Sequence, residues 1–201
     1  EGWGMGYEAL ARANPGLVMV RISGYGQTGP YASRPGFGVI GEAMGGLRHV
    51  TGTPDRPPSR VGVSIGDTLS ALYGVIGALA ALEHRHRTGR GQVVDVALYE
   101  SVFSVMESML PEFDAFGAVR ERTGSILPGI APTSAYRCAD GSHVLVAANG
   151  DSIFRRLDTI GFLGAPNPGN EQGRATQTGD DTGVAPNLEL HASTQMTITS
   201  P

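Results

Sequence analysis

Residues 60–82 read RVGVSIGDTLSALYGVIGALAAL, a stretch almost wholly apolar or small that holds a single acid, Asp67. Leu69, Leu72, Tyr73, Ile76, Leu79, Ala80 and Leu82 recur at helical spacing, while Ala71, Gly74, Gly77, Ala78 and Ala81 offer small faces for close packing. A helix with so little polar surface has to be covered, so the rest of the chain must build around it. The longest apolar run, Leu69 to Leu82, is fourteen residues, short of the roughly twenty that cross a bilayer. A buried helix is therefore expected, and no membrane partner. The closing EHRHRTGRG supplies cations for the negative end of the helix, and Gly89 suits the position just past it. At the other end Asp67 stands where the helix should begin. The plain reading is an N-cap, a side chain accepting the free amide hydrogens of the first turn.

The flanking segments alternate strand and helix, which predicts an α/β fold. GYEALARANP reads as the end of a helix stopped by Pro15, and LVMVRIS, residues 17–23, as a short buried strand. GYGQTGPYASRPGFG is a long Gly/Pro-punctuated loop after that strand, a place where binding groups often sit. Residues 39–47 suggest a short helix and TGTPDRPPS a loop. QVVDVAL reads as a strand and YESVFSVMESML as a second amphipathic helix before Pro111. TSAYRCADGSHVLVAANG is a hairpin around Asp140-Gly141, and NGDSIFRRL starts a further helix. Beyond it, residues 163–201 are rich in Thr, Gly and Pro with no sustained apolar period. That tail is expected to be disordered or foreign to the fold, a frameshift being favoured over a functional linker.

Composition excludes several classes. With 201 residues, 40% of them hydrophobic and 17% charged, the chain suits one or two soluble globular domains. A formal charge of −4 leaves no electrostatic footprint for nucleic acid or an anionic membrane. The lone Cys138 cannot form an internal disulfide, so a reducing, cytoplasmic setting is expected. Its place in YRCADGS favours a structural thiol over a nucleophile. EGWGMGYEAL has neither the basic start nor the apolar core of a signal peptide. His84 and His86, two apart on a helix, point to different faces, so a solvated helix end is expected and no metal site. GYGQTGP and TGRGQ match neither a Walker loop nor a dinucleotide fingerprint. Asp95, between Val94 and Val96, should face solvent or a neighbouring strand.

Asp67 also has a sharper reading. Amide hydrogens and the helix dipole favour negative charge at a helix start, and an ionised carboxylate in a largely apolar cleft can act as a nucleophile and form a covalent acyl intermediate. Three blocks then carry a resemblance: LVMVRISGYGQTGPYASRPGFG, GVSIGDTLSALYGVIGALAALEHRHRTGRGQVVDVALYES and GIAPTSAYRCADGSHVLVAANGDSIFRRL. Together, over residues 2–157, they resemble the class III CoA-transferases of the CaiB/BaiF group. Members are typically about twice this long, so the resemblance makes the chain an internal fragment. It would hold part of a Rossmann-like large domain (residues 1–98), a linker (99–123) and the start of a smaller α+β domain (124–162), and would lack the first part of the CoA site.

The resemblance assigns Asp67 as the catalytic aspartate, attacking an acyl-CoA thioester and passing CoA to an incoming acid through an aspartyl intermediate. Coenzyme A and its acyl thioester are then substrates, with a small carboxylic acid as co-substrate and no permanently bound cofactor or metal. The wording of the first block is closest to succinyl-CoA-dependent dicarboxylate members. The family also includes α-methylacyl-CoA racemases, whose chemistry needs a base and an acid on opposite faces. Their histidine aligns with Phe37, and a phenyl ring cannot move a proton, which favours transfer. Gly38 departs from the transferase pattern, which has an acid after the aromatic. Phe37 and Gly38 are thus assigned to the acyl pocket. Arg34 sits beside the place where a cation meets the CoA phosphates, with an exposed loop arginine as its alternative. Leu98, at the strand end, matches an apolar contact to the CoA arm, with core packing as its alternative. Members form interlocked homodimers. A further alternative is that the chain alone is non-catalytic.

Overall fold

The computed structural model describes residues 2–128, 130, 132–137 and 141–159, with side chains through Leu157. Cys138, Asp140 and the tail from residue 163 lie outside the described residues. The chain divides into two compact units, Glu1–Arg122 and Thr123–Pro201. The first contains α1 (Tyr7–Ala13), β1 (Met19–Ser23), α2 (Gly38–Met44), α3 (Leu47–Val50), α4 (Ile65–Thr88), β2 (Val93–Ala97), α5 (Leu98–Phe103) and α6 (Met109–Phe116). The second contains β3 (Thr133–Arg137), β4 (His143–Ala147) and α7 (Asp151–Thr159).

In the first unit β1 and β2 pair in parallel, from Met19↔Val93 to Ser23↔Ala97. Parallel strands need a crossover, here α2 through α4. The helix α4 lies on the strands through its small residues. A Cβ placed on Gly77 would come within 2.4 Å of Val94 Cγ1, and one on Gly74 within 3.3 Å of Val20 Cγ1. The β-branched strand side chains thus fill the space that side chains on the helix would take.

That packing corrects the expected burial of α4. Its buried residues are Gly66, Ser70, Gly74 and Ala81. Leu72, Ile76 and Leu79, expected inside, are 56%, 60% and 62% exposed. Close approach through the glycine face turns the leucine face outward. The helix also begins earlier than the apolar run suggested. Its 24 residues are long and apolar enough to cross a membrane by length and composition alone. Here it packs instead against β1, β2, α2 and α5, as the helix layer of an α/β unit.

Both ends of α4 are informative. Ser64 holds the N-cap position but makes no side-chain cap bond; its hydroxyl instead accepts a bond from Arg60 Nη2 at 3.2 Å. Asp67 is the third residue of the helix, not its cap. At the C-terminus Gly89 takes the left-handed conformation, φ 73°, and its N–H reaches the Arg85 carbonyl, as the sequence implied.

The second amphipathic helix is likewise two helices. Ser101 and Ser104 hydroxyls donate to the Ala97 and Ser101 carbonyls, competing for the bonds a continuing helix would use. The chain turns through Ser104–Ser108, with Glu107 at φ 53°, and restarts as α6. Pro111 falls in the first turn of α6, where a missing N–H costs nothing. The segment expected as a linker therefore holds two helices, and α5 packs against α2 and α4.

The second unit is the expected hairpin followed by a helix. β3 and β4 pair antiparallel, Thr133↔Ala147 to Arg137↔His143, and Gly141 in the connection has φ 85°. Val146, Ala148 and Leu157 form its core, with Tyr136, Val144 and Ile153 packed around them.

Candidate active site

Asp67 is positioned by backbone contacts from two helix starts. It lies in the first turn of α4, and its carboxylate lies against Gly38, the first residue of α2. A Cβ on Gly38 would be 2.4 Å from Asp67 Oδ2 and 3.0 Å from Cγ. The absent side chain at 38, read from sequence as a departure, is the space the Asp67 carboxylate occupies. Gly66, one residue earlier, is buried against the Gly38 carbonyl, 3.2 Å from its would-be Cβ, and against Val102 Cγ2 at 3.4 Å. The two helix starts therefore pack almost backbone to backbone.

Asp67 itself is exposed to solvent, which corrects the expectation of an apolar cleft around it within this chain. Thr68 Oγ1 and Ser70 Oγ donate to the Ser64 and Gly66 carbonyls, so the polar side chains next to it are tied to the helix backbone. What remains is a carboxylate at the positive end of a 24-residue helix, where the dipole favours negative charge.

Phe37, at the N-cap position of α2, is 72% exposed. Together with Gly38 it brings the predicted pocket residues to the edge of the Asp67 carboxylate. Arg34 is exposed, and its guanidinium carbon lies 4.3 Å above the Tyr31 ring. Tyr31 in turn packs on Tyr25 at 5.4 Å, and Tyr25 on Tyr99 at 6.1 Å. An arginine whose guanidinium lies over an aromatic ring still has N–H donors to offer an anion. Leu98 opens α5 rather than ending β2. It is 7% exposed, and a Cβ on Gly41 would meet its own Cβ at 2.9 Å. The geometry supports core packing for it. Among the described residues no three His, Cys, Asp or Glu side chains cluster as metal ligands.

Two features were missed in the sequence. Gly24 and Gly36 touch backbone to backbone, a Cβ on Gly24 lying 2.6 Å from Gly36 Cα. This closes the intervening loop at its neck and delivers Phe37 and Gly38 to Asp67. Asp95 Oδ2 accepts the Gln27 N–H at 2.8 Å, so that acid faces the loop. Paired glycines bracketing SGYG and RPGFG were the available signal for the neck; nothing in the sequence announced the Asp95 contact.

The site thus lies in a parallel-strand α/β unit, with an acid in the first turn of its crossover helix. The family model of CoA-transferase family III matches residues 1–194. The chain belongs to that family, as the CaiB/BaiF resemblance implied. It is 58% identical over 157 residues to succinyl-CoA–D-citramalate CoA-transferase of Chloroflexus aurantiacus, covering 78% of this chain and 39% of the relative. It is 37% identical to succinate–glutarate CoA-transferase of Agrobacterium fabrum, covering 81% of this chain and 40% of the relative. A crystal structure of a CaiB/BaiF family protein from Brucella suis superposes with a TM-score of 0.70 at 38% identity, over 79% of this chain and 42% of that one. The α/β fold class is thereby shown. The chain spans about two-fifths of the length of these relatives.

Proposed function

We propose that the protein carrying this chain transfers coenzyme A from an acyl-CoA, with succinyl-CoA the favoured donor, to a small dicarboxylic acid, and that Asp67 is the covalent nucleophile. The observation that carries this reading is the Asp67 carboxylate seated over Gly38 at the meeting of two helix starts, in a chain of this family. Relatives named for succinyl-CoA and for malate, citramalate or glutarate support the substrate class.

The steps follow from the group. An Asp67 oxygen attacks the thioester carbonyl, the C–S bond breaks, and CoA leaves as thiolate with Asp67 held as a mixed anhydride. The thiolate attacks the Asp67 carbonyl carbon and expels the first acid, leaving an aspartyl-CoA thioester. The incoming carboxylate attacks this thioester and frees the thiolate again. The thiolate then takes the new acyl group and restores Asp67. Each step exchanges one activated acyl bond for another, thioester for anhydride or the reverse, so one difficult exchange is split into easier ones. Amide hydrogens at the start of α4 are assigned to stabilise the carbonyl oxygens as they become negative. Arg34, lifted by Tyr31, is assigned to a CoA phosphate, and Phe37 to the acyl pocket. No ATP or metal enters. The remaining length of the protein supplies the rest of the CoA site, and two copies interlock.

The test is Asp67→Asn in the longest polypeptide that carries this chain. The carboxylate adds only about 0.3–1 kcal/mol at a helix start, so the variant should melt close to wild type while CoA transfer falls by several orders of magnitude. Hydroxylamine added with succinyl-CoA should leave a hydroxamate at residue 67 in the wild type alone. A folded variant that keeps more than about a tenth of the rate, a barrier change of only ~1.4 kcal/mol, would overturn the covalent role.

A further inference from the structure

We propose, resting on the CoA-transfer reading above, that Asp95 is a positioning residue: it clamps the loop of residues 24–36 and so sets where Arg34 meets the acyl-CoA. Asp95 lies on β2, 68 residues along the chain from Gln27, and its Oδ2 accepts the Gln27 N–H at 2.8 Å. The Gln27 side chain turns the other way, its Nε2 donating to Ser23 Oγ at 3.2 Å. One residue of the loop is thus held by both strands. Gly26 sits at φ +81°, with its would-be Cβ 3.5 Å from Asp95 Oδ2 and 3.7 Å from Ala97 Cβ. The positive φ favours glycine there, while the strand end stands at ordinary contact distance.

The loop therefore has two independent fastenings. Its neck is the Gly24–Gly36 backbone contact, which sets Phe37 and Gly38 beside Asp67. Its body is fastened by Asp95, and from the body the ring of Tyr31 carries the Arg34 guanidinium at 4.3 Å. Tyr25, next to Gly26, packs on both Tyr31 and Tyr99, so a shift at residues 26–27 passes through these tilted, packed rings to the arginine. Releasing the clamp should move Arg34 and leave the Asp67–Gly38 contact in place. Binding then suffers and chemistry does not.

The experiment compares Asp95→Ala and Asp95→Asn with wild type in the longest polypeptide that carries this chain, using succinyl-CoA as the probe. Asp95→Ala should raise KM for succinyl-CoA about tenfold, the scale of one charge-assisted hydrogen bond, with kcat held within about twofold. Asp95→Asn keeps an oxygen to accept the Gln27 N–H and should restore KM to within about threefold of wild type. Hydrogen–deuterium exchange at the Gln27 amide should quicken in the Ala variant and stay slow in the Asn variant. An unchanged KM in the Ala variant of an active enzyme overturns the positioning role. A fall in kcat accompanied by a lower melting temperature, unrescued by Asn, overturns it in favour of a structural role. A wild type without CoA transfer overturns the functional reading, and the positioning role with it.

Discussion

Gly38→Ala separates the geometry of Asp67 from the stability of its surroundings. A Cβ at residue 38 would lie 2.4 Å from Asp67 Oδ2, and ordinary contact begins at 3.4 Å, so the carboxylate must retreat by about 1 Å. It can do so by turning its side chain, at a cost of roughly 0.5–1.5 kcal/mol for an off-rotamer angle. Alanine in place of glycine in a helix gains up to about 1 kcal/mol. The two nearly cancel, so the fold should be as stable as before. The nucleophile, however, is misplaced, and a 1 Å error at a reacting group costs on the order of 100-fold, about 2.7 kcal/mol of barrier. The assay is kcat for CoA exchange from succinyl-CoA, read beside a thermal melt. Should Gly38→Ala melt like wild type and keep more than half its kcat, the seat over Gly38 has no bearing on the chemistry.

Arg48→Met should lower unfolding free energy by about 3 kcal/mol in denaturant titration, because Glu42 is 1% exposed and accepts from Arg48 Nε at 3.0 Å; a loss under 1 kcal/mol would show that Glu42 finds another partner. Glu112 is held at about 2, below its ordinary 4.5, first by the hydrogen bonds from Arg120 and then by Ser108. A carboxyl depressed on folding stabilises above its ordinary value and loses that contribution as pH falls toward the folded one. The melting temperatures of wild type and Glu112→Gln should therefore differ at pH 6 and converge between pH 4.5 and 2; a constant gap would refute the pairing. On the resemblance that sets Phe37 in place of the racemase histidine, deuterium from solvent should not enter the α-position of a 2-methylacyl-CoA, followed by mass spectrometry. Incorporation at a rate near that of CoA exchange would revive racemisation.

Local signals carried much of the fold. The β-branched runs at residues 17–23 and 92–98, the glycine after α4 and the hairpin at residues 133–147 all form where their chemistry places them. The failures share one cause, that spacing reports which residues line up and not what lies opposite. In α4 both faces are apolar, and only the approach of Val20 and Val94 chooses the glycine side. Asp67 was misread as the N-cap because Ser64, which holds that position, accepts from Arg60 Nη2 instead of capping, and Asp67 falls inside the first turn. The break after Phe103 was hidden because serine hydroxyls that end the helix also fit an amphipathic pattern. At the candidate site the resemblance named Arg34, Phe37, Gly38, Asp67 and Leu98 one by one, while contacts such as Gly24 to Gly36 and Asp95 to Gln27 join separate stretches and leave no mark on periodicity.

The parallel pairing of β1 with β2 sets a timetable for folding. Met19 and its partner Val93 are 74 residues apart, and at ribosomal speeds of roughly 5–20 residues per second the first strand waits about 4–15 s for the second to be made. The Gly24–Gly36 neck spans only twelve residues, and loops of about that length close in well under a microsecond. The nascent chain can thus close the neck of the loop long before Asp95 and the second strand exist to fasten its body. Through that interval β1 lacks its β2 partner, and synonymous codons that slow translation between residues 24 and 92 would lengthen the wait.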